Sequence, residues 1–459
     1  MRRVAAIDLG ATSGRVIVGH VGPDALETEQ VARFPNTPVQ LADGLHWNIV
    51  GLYGAVLDGL RRAGEVASIG IDSWAVDYGL LRAGRLLGEP FHYRDERTAR
   101  GVDAVRIPHE ELYAENGMQF LPFNTLYQFA AEPAEQLAFA DTALLVPDLI
   151  GYWLTGVARA ELTNASTTGL LDWASGRWND ELIGALDLRR AILPPLIAPG
   201  ERLGEVQASA GAVVGVPVTA VGSHDTASAV VAVPMTEGSA YVSCGTWGLV
   251  GVEVERPVLT PEALAANFTN EGGVDGRVRL LRNVMGLWVL SETVREWERT
   301  DGMTLSLPEL LAQAAEVSDA PVFDIDDDRF LAPGGMTARI DAWCAEHALP
   351  APSGRPVYVR SIVESLAQAF ADTARLAGRI GGVDVRTIHI VGGGALNELL
   401  CQRTADRAGM PVVAGPVEAT ALGNLLVQAR AVGFISGSLE ALRDLVARTH
   451  TPRRFCPRP

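Results

Sequence analysis

Apolar positions along this chain fall into short continuous blocks of strand length and longer stretches with helical spacing. Two of the blocks come in pairs around glycine turns. Residues 4–9 lead into Gly10-Ala11-Thr12-Ser13-Gly14-Arg15 and leave through 16–18, while residues 240–242 lead into Ser243-Cys244-Gly245-Thr246-Trp247-Gly248 and leave through 249–252. Each reads as strand, tight turn, strand. Three further blocks, 67–72, 216–221 and 387–391, read as buried strands, and the last runs into Gly392-Gly393-Gly394. Helices are predicted over 49–62, 124–132 and 148–155, the last with Pro147-Asp148 at its start and Gly156 as its stop. Leu287, Leu290, Val294 and Trp297 mark one apolar helix face, and Ile362, Leu366, Phe370, Thr373, Leu376 and Ile380 a longer one. Another helix begins near Asn397, and residues 451–459 read as surface coil.

At 459 residues the chain exceeds one ordinary core, and two domains of roughly 200 residues each are expected. Proline and glycine crowd residues 194–217, so the crossing between domains is placed near residue 222. The 48% apolar and 20% charged content is that of a globular protein. No charge-free apolar stretch has transmembrane length, and Met1-Arg2-Arg3 runs straight into a strand; the expectation is a cytoplasmic protein with no membrane partner. A net charge of −17 argues against nucleic acid as a partner. It leaves anionic small ligands open, because backbone dipoles and a divalent ion can hold a phosphate.

All 38 basic residues are arginine. Without lysine, the Gly-x4-Gly-Lys-Ser/Thr phosphate loop and any Schiff-base chemistry are excluded. The four cysteines, at 244, 344, 401 and 456, are too dispersed for a zinc pattern or a disulfide framework. Cys244 borders the second glycine turn, where its modification would block a ligand. Glycine turns let backbone N–H groups approach an anion closely. Two such turns, with Ser223-His224-Asp225-Thr226 between them in sequence, point to an ATP-dependent phosphotransferase with two similar lobes.

Phosphoryl transfer to an alcohol needs a base aligned with the attacking hydroxyl, and Asp225, directly after an apolar strand, is the candidate. Its competing reading is an ordinary helix cap before an alanine-rich helix. Asp8 reads either as a carboxylate that orients water on a magnesium ion or as one bonded to its own turn. His224 reads as a ligand for a sugar hydroxyl or as a satisfied core histidine. The run Asp324, Asp326, Asp327, Asp328 is not an EF-hand, since Arg329 stands where that loop requires glycine; it reads as a solvated loop. Trp74 and Trp247 lie near candidate sites, as sugar-stacking faces or as core.

These motifs resemble the FGGY sugar kinases of the actin/hexokinase/heat-shock ATPase superfamily. The resemblance runs from Asp8 to at least Asn424. It takes in Asp8 to Arg15, Gly70-Ile71-Asp72-Ser73-Trp74-Ala75-Val76-Asp77 and Gln119-Phe120-Leu121-Pro122-Phe123-Asn124-Thr125-Leu126-Tyr127-Gln128. It continues through Ser223 to Ala229, Asn270-Glu271-Gly272-Gly273, Asn283-Val284-Met285-Gly286-Leu287-Trp288, His389 to Gly394, Ala414 to Thr420 and Leu422-Gly423-Asn424. The resemblance implies an α/β fold of two actin-like (ribonuclease H-like) domains with an interdomain catalytic cleft. It assigns residues 1–222 to the sugar and phosphate sides and 223–459 to the nucleotide side.

Within the family, the segment 119–128 and His224-Asp225-Thr226 point to the members acting on L-rhamnulose. The activity so implied is transfer of the ATP γ-phosphate to its primary hydroxyl, giving the 1-phosphate in L-rhamnose catabolism; fuculose, xylulose or glycerol is the alternative acceptor. By the same resemblance Asp225 is the general base, and Ala75, His224, Thr226 and Asn283 contact the sugar. Ala11, Thr12, Ser13, Gly14, Arg15, Thr246, Ser291 and Gly393 hold ATP, with Mg²⁺ as cofactor and Asp8 its water-mediated ligand. Three positions depart from the family pattern: Ala75 for a usual glycine, Ser291 for a glutamine and Cys244 for a serine. A non-catalytic sugar sensor on the same scaffold would need a basic DNA-reading extension before the first strand, and none precedes it in this sequence. Monomer and homodimer both stay open.

Overall fold

In the computed structural model, which describes residues 2–458, the opening apolar block becomes β1 (Arg2–Leu9) and the chain returns as β2 (Ser13–Gly22). They pair antiparallel, with Asp8 opposite Arg15 and Leu9 opposite Gly14. β3 (Ala25–Pro35) adds to β2, and β4 (Ile69–Ser73) runs parallel to β1 on its other side. β5 (Arg202–Glu205) and β6 (Pro217–Thr219) complete a six-stranded sheet in the order β5-β6-β4-β1-β2-β3. Residues 4–9 and 69–73 are buried without alternation, the pattern of central strands covered on both faces.

The second glycine turn joins β7 (Ser239–Cys244) to β8 (Trp247–Val254), again antiparallel. β9 (Val278–Met285) lies beyond β8, and β10 (Thr387–Val391), β11 (Val412–Ala414) and β12 (Arg453–Phe455) follow β7, so that six of this sheet's seven strands run in the order β9-β8-β7-β10-β11-β12. The scheme repeats that of the first sheet: a hairpin, two parallel neighbours, then an antiparallel edge strand. Residues 451–459 are therefore not all coil, since β12 pairs with β11 and ties Arg453 to Glu398; two arginines and one aromatic carry too little pattern to announce a strand. Pro459 lies outside the described residues.

The predicted helices form as α1 (Ile49–Ala63), α2 (Thr125–Ala130) and α3 (Val146–Thr155). Asn48 caps α1 by accepting from the Gly51 N–H at 3.0 Å, and Gly156 ends α3 at φ 74°. Asp148 is not the cap of α3: the helix begins before it, and its carboxylate instead accepts from the Glu161 N–H at 3.1 Å. α5 (Trp288–Asp301) buries Leu290 and Trp297, and α6 (Arg355–Gly381) buries Ile362, Leu366, Phe370 and Thr373. α7 (Glu398–Ala408) starts with Asn397 accepting from the Leu400 N–H.

Contacts divide the chain into two compact units, neither continuous in sequence. The first comprises Met1–Ala232, Val254–Leu280 and Ala419–Thr449; the second comprises Val233–Glu253, Leu281–Glu418 and His450–Pro459. The first break thus falls after Ala232, past the crossing expected near residue 222. The reason is packing. α4 (Asp225–Val231) is buried behind its first residue and lies against α8 (Ala419–Ala431), so both belong to the first unit. Among the described residues no helix is long and apolar enough to cross a membrane.

Gly423 marks the closest approach of these helices: a Cβ there would stand 1.8 Å from the Ser228 carbonyl oxygen. In an exposed helix Gly→Ala gains about 1 kcal/mol. Here the backbone clash reverses the sign, and Gly423→Ala is expected to lose about 2 kcal/mol or more in urea unfolding. An unchanged or raised midpoint would show that α4 and α8 do not pack this tightly.

Candidate active site

The register of the first sheet decides which side chains meet. Asp72 lies beside Asp8 and Ser73 beside Leu9, because β4 and β1 are parallel and in step. Ser73 in turn bridges to His224, and its N–H donates to the Ser223 carbonyl at 2.9 Å. Asp8, Asp72 and Asp225 are thereby brought to the carboxyl ends of neighbouring runs, where α/β sheets bind their ligands. Arg15, opposite Asp8 in the hairpin, donates from Nη2 to Asp8 Oδ2 at 2.5 Å. Asp72 is wholly buried and accepts from Asn424 Nδ2 at 2.5 Å, while Gln428 holds Asn424 Oδ1 at 2.6 Å. Burial raises Asp72 well above the ordinary carboxylate range, and the charge of Asp8 raises it further; Asn424 opposes, Asp225 adds and Arg15 subtracts.

Asp225 is half-buried and opens α4, but His224 occupies the cap position. The Asp225 carboxylate is not spent on capping the helix; its Oδ1 accepts from Thr226 Oγ1 at 3.1 Å. His224 is buried at 7% exposure, which fits the core reading, yet its Nε2 lies 3.5 Å from Asp225 Oδ1. On the other edge of the ring, Nδ1 is 3.1 Å from Glu271 Oε2, and Glu271 is 3.0 Å from Arg279 Nη2. Arg279 is completely buried and anchors through Nε to the Gly272 carbonyl at 3.0 Å. Burial alone would raise Glu271, but Arg279 and then His224 more than offset it and hold the carboxyl below its usual range. Ser223 is fixed separately: its N–H and hydroxyl donate to Glu161 at 2.9 and 2.8 Å.

The first turn, Ala11 to Ser13, is tied at its base. Asn36 donates from Nδ2 to the Gly10 carbonyl at 2.9 Å and from its N–H to the Thr12 carbonyl at 3.0 Å. Thr12 is exposed and Ala11, Ser13 and Arg15 are half-buried. Gly14 has an internal explanation: a Cβ there would come within 2.2 Å of the Phe34 ring. Ala75 is half-buried and follows the buried Trp74, which serves as core.

In the second unit, Thr246, Ser291 and Gly393 are gathered around Leu287. The Trp288 N–H donates to the Thr246 carbonyl at 3.2 Å, the Ser291 N–H to the Leu287 carbonyl at 2.9 Å, and a Cβ on Gly393 would sit 3.9 Å from Leu287 Cδ1. Gly393 is exposed with ordinary room around it, so internal packing does not demand glycine there. Gly392 and Gly394 differ. The first has φ 76°, and a Cβ on the second would meet Cys244 Sγ at 2.4 Å. Cys244 is therefore a buried filler beneath the triplet, its thiol pushed up to about 12 by burial and then by Cys401. The expected sensitivity of Cys244 to modification does not hold for a thiol so placed. Trp247 and Asn283 are half-buried, Asn283 on β9. The acidic run is more than a solvated loop, because Asp326 accepts from the Met285 N–H at 2.8 Å and from Arg282 at 3.0 Å, latching the end of β9.

Magnesium fits the first unit in a restricted sense. Among the described residues no three acidic, histidine or cysteine side chains form a metal cage. Asp8 and Asp225 nevertheless place carboxylate charge beside Asp72, whose Oδ1 is buried without a protein partner. That donor set suits a cation that keeps its waters and arrives on phosphates. Sequence reading passed over Asp72, Glu271 and Arg279 as site residues. Asp72 carried a signal in the matching strand-end aspartates of β1 and β4. Glu271 and Arg279 carried none, since their meeting with His224 depends on tertiary structure.

Residues 4–232 match the N-terminal domain of the FGGY family of carbohydrate kinases, and residues 240–432 its C-terminal domain. A rhamnulokinase of Bacteroides thetaiotaomicron is 39% identical over 467 residues, covering 98% of this chain and 95% of that protein. A rhamnulokinase of Pectobacterium atrosepticum is 40% identical over 473 residues, covering 100% and 94%. Among solved structures, ligand-bound xylulose kinase from Lactobacillus acidophilus aligns with a TM-score of 0.80 at 17% identity, covering 100% of this chain and 94% of that one. Plasmodium falciparum glycerol kinase with ADP aligns with a TM-score of 0.79 at 15% identity, covering 100% and 94%. At such identities the structures speak for the fold alone.

The lowered carboxyl of Glu271 gives a pH signature. Its pairing stabilises the fold above the unfolded value of 4.5, and that contribution is lost as pH falls through the still lower folded value. Glu271→Gln is expected to cost about 3 kcal/mol at neutral pH by leaving Arg279 unpaired. The Tm gap to the wild type should narrow as pH falls below about 4.5. A gap that is constant with pH would sink the ion-pair account.

Proposed function

The chain belongs to the FGGY family of carbohydrate kinases and is a sugar kinase; from that premise we propose that it transfers the γ-phosphate of ATP to the primary hydroxyl of L-rhamnulose, giving L-rhamnulose 1-phosphate. The observation that carries the acceptor is the 39–40% identity, across essentially the whole chain, to proteins named for that activity. Another ketose or a polyol remains the alternative because Ala75 adds a methyl where the family pattern has glycine.

On this reading Asp225 accepts the hydroxyl proton as the sugar oxygen attacks the γ-phosphorus and ADP leaves. Such base assistance contributes roughly 10²–10⁴ in rate. Support comes from its half-burial, from a carboxylate not spent on the helix cap position, which His224 occupies, and from the carboxylates held beside it. His224, oriented by Glu271, and Thr226 bind the acceptor, together with Ala75 and Asn283. Ala11 to Arg15 hold the phosphates; Thr246, Ser291 and Gly393 serve the nucleotide. The reading thus gives the sugar and phosphate groups largely to the first unit and the nucleotide groups to the second. Mg²⁺, when bound with ATP, neutralises phosphate charge, and Asp8 would hold one of its waters. Sequestering the transfer from water would require closure of the site. The cytoplasm, with its ATP, is the compartment this reading implies.

A coupled ADP-release assay over a ketose and polyol panel, with and without Mg²⁺, is expected to give L-rhamnulose the highest kcat/KM. A higher value for another acceptor would replace it. Asp225→Asn should retain sugar binding by calorimetry while kcat falls at least ~10²-fold; a variant of near-normal kcat would remove Asp225 as the base.

A further inference from the structure

Just beyond the end of β4 the backbone does something costly. The Asp77 N–H donates to the Ala75 carbonyl at 2.9 Å, closing a three-residue turn around Val76, whose φ is 70°. This is the rare hand of the γ-turn, and a β-branched residue is poorly suited to it. Backbone strain of this kind persists only where surrounding structure over-determines it, and it clusters at functional sites.

The restraint comes from two sides. Asp77 is wholly buried, and its Oδ2 accepts from Trp47 Nε1 at 2.6 Å, Trp74 Nε1 at 3.0 Å and the Tyr93 N–H at 3.2 Å. Its Oδ1 accepts from Gln128 Nε2 at 2.7 Å. The four donors are neutral, so burial pushes the carboxyl up to about 6 although Gln128, Trp47, Trp74 and Tyr93 all pull it down. From α2, Thr125 Oγ1 donates to the Val76 carbonyl at 2.8 Å, and Gln128 reaches the same oxygen at 3.4 Å. Gln128 is itself oriented by Arg97, which donates to its Oε1 at 3.2 Å. A buried carboxylate without a cation, used to clamp a strained turn, is expensive for a part that only fills the core.

We infer that Asp77 is the positioning residue of the acceptor wall: with Thr125 and Gln128 it locks the turn that presents the Ala75 backbone to the sugar, and so sets which ketose is accepted. This rests on the sugar-kinase reading above, which puts Ala75 against the acceptor. It also gives the segment 119–128 a physical role in selectivity at one remove from the substrate.

The test begins with the wild type on the ketose and polyol panel, whose best acceptor is used throughout; a best acceptor other than L-rhamnulose overturns the reading without touching this inference. Asp77→Asn keeps the shape but turns an amide donor toward donors. Its KM for the ketose is expected to rise at least ~10-fold, KM for ATP to stay within about twofold, and the ranking of ketoses to flatten. Thr125→Val removes one hydroxyl and should raise the ketose KM about threefold, with kcat and the ATP KM held. Equal changes in both KM values, or a folded Asp77→Asn enzyme with unaltered ketose KM and ranking, would overturn the inference. If Asp77→Asn does not fold, the Thr125→Val split decides: an unaltered ketose KM there overturns it.

Discussion

Two carboxylates at the carboxyl ends of neighbouring strands, Asp8 and Asp72, with a third, Asp225, opening the helix beside them, are the constraint around which the first unit is arranged. The in-step pairing of β1 and β4 sets Asp8 beside Asp72, and the bridge from Ser73 to His224 carries Asp225 to the same end. Like charges so close must be compensated or partly neutralised. Arg15 compensates Asp8, whereas Asp72 resists ionisation under burial and the charge of Asp8. The fold also commits α8 to this task, since Asn424 and Gln428 reach Asp72 from the far end of the sequence. Without that return of the chain, a fully buried carboxylate would lack its one good donor. The discontinuity of the first unit is in this sense a condition of its chemistry.

Two other buried carboxylates show what decides the direction of a shift. Glu271 and Asp77 are both out of water, so burial raises each. Glu271 faces a completely buried guanidinium and a histidine ring and ends below its usual range, while Asp77 faces four neutral donors and ends near 6. Hydrogen bonds without charge do not repay full desolvation of an ion; an adjacent cation does. The two therefore suit different tasks. A carboxylate paired with a buried cation can orient His224 through charge, whereas one met only by neutral donors works as a geometric hub for tryptophans and an amide.

The parts of this architecture that were legible in the sequence are those written within a few residues. Both glycine-turn hairpins, the strand 387–391 with its following triplet, and α1 with its Asn48 cap follow from local pattern. The helix faces around Leu290 and Ile362 were readable for the same reason. What was not legible depends on partners distant in the chain. Glu271 looks like one polar residue in a short run until Arg279 and His224 surround it, and Asp148 looks like a cap until Glu161 claims it. Gly14 and Gly394 look alike as turn glycines, yet one makes room for Phe34 and the other for Cys244. The edge strand at Arg453 had no pattern to show, because an edge needs only backbone pairing.

The two sheets share a strand order, but the duplicated turn has been put to different uses. In the first hairpin four residues separate the paired Leu9 and Gly14, and the strand bases carry the Asp8–Arg15 ion pair. In the second, three residues separate Cys244 and Gly248, and the base carries a neutral thiol packed under a glycine triplet. A common scaffold thus offers one charged turn, suited to phosphate and a hydrated cation, and one uncharged turn beside exposed glycine. Fold alone would assign both the same role. The side chains at the base of each turn set them apart, so in this chain the difference between the two hairpins is carried by Asp8 and Cys244 more than by their glycines.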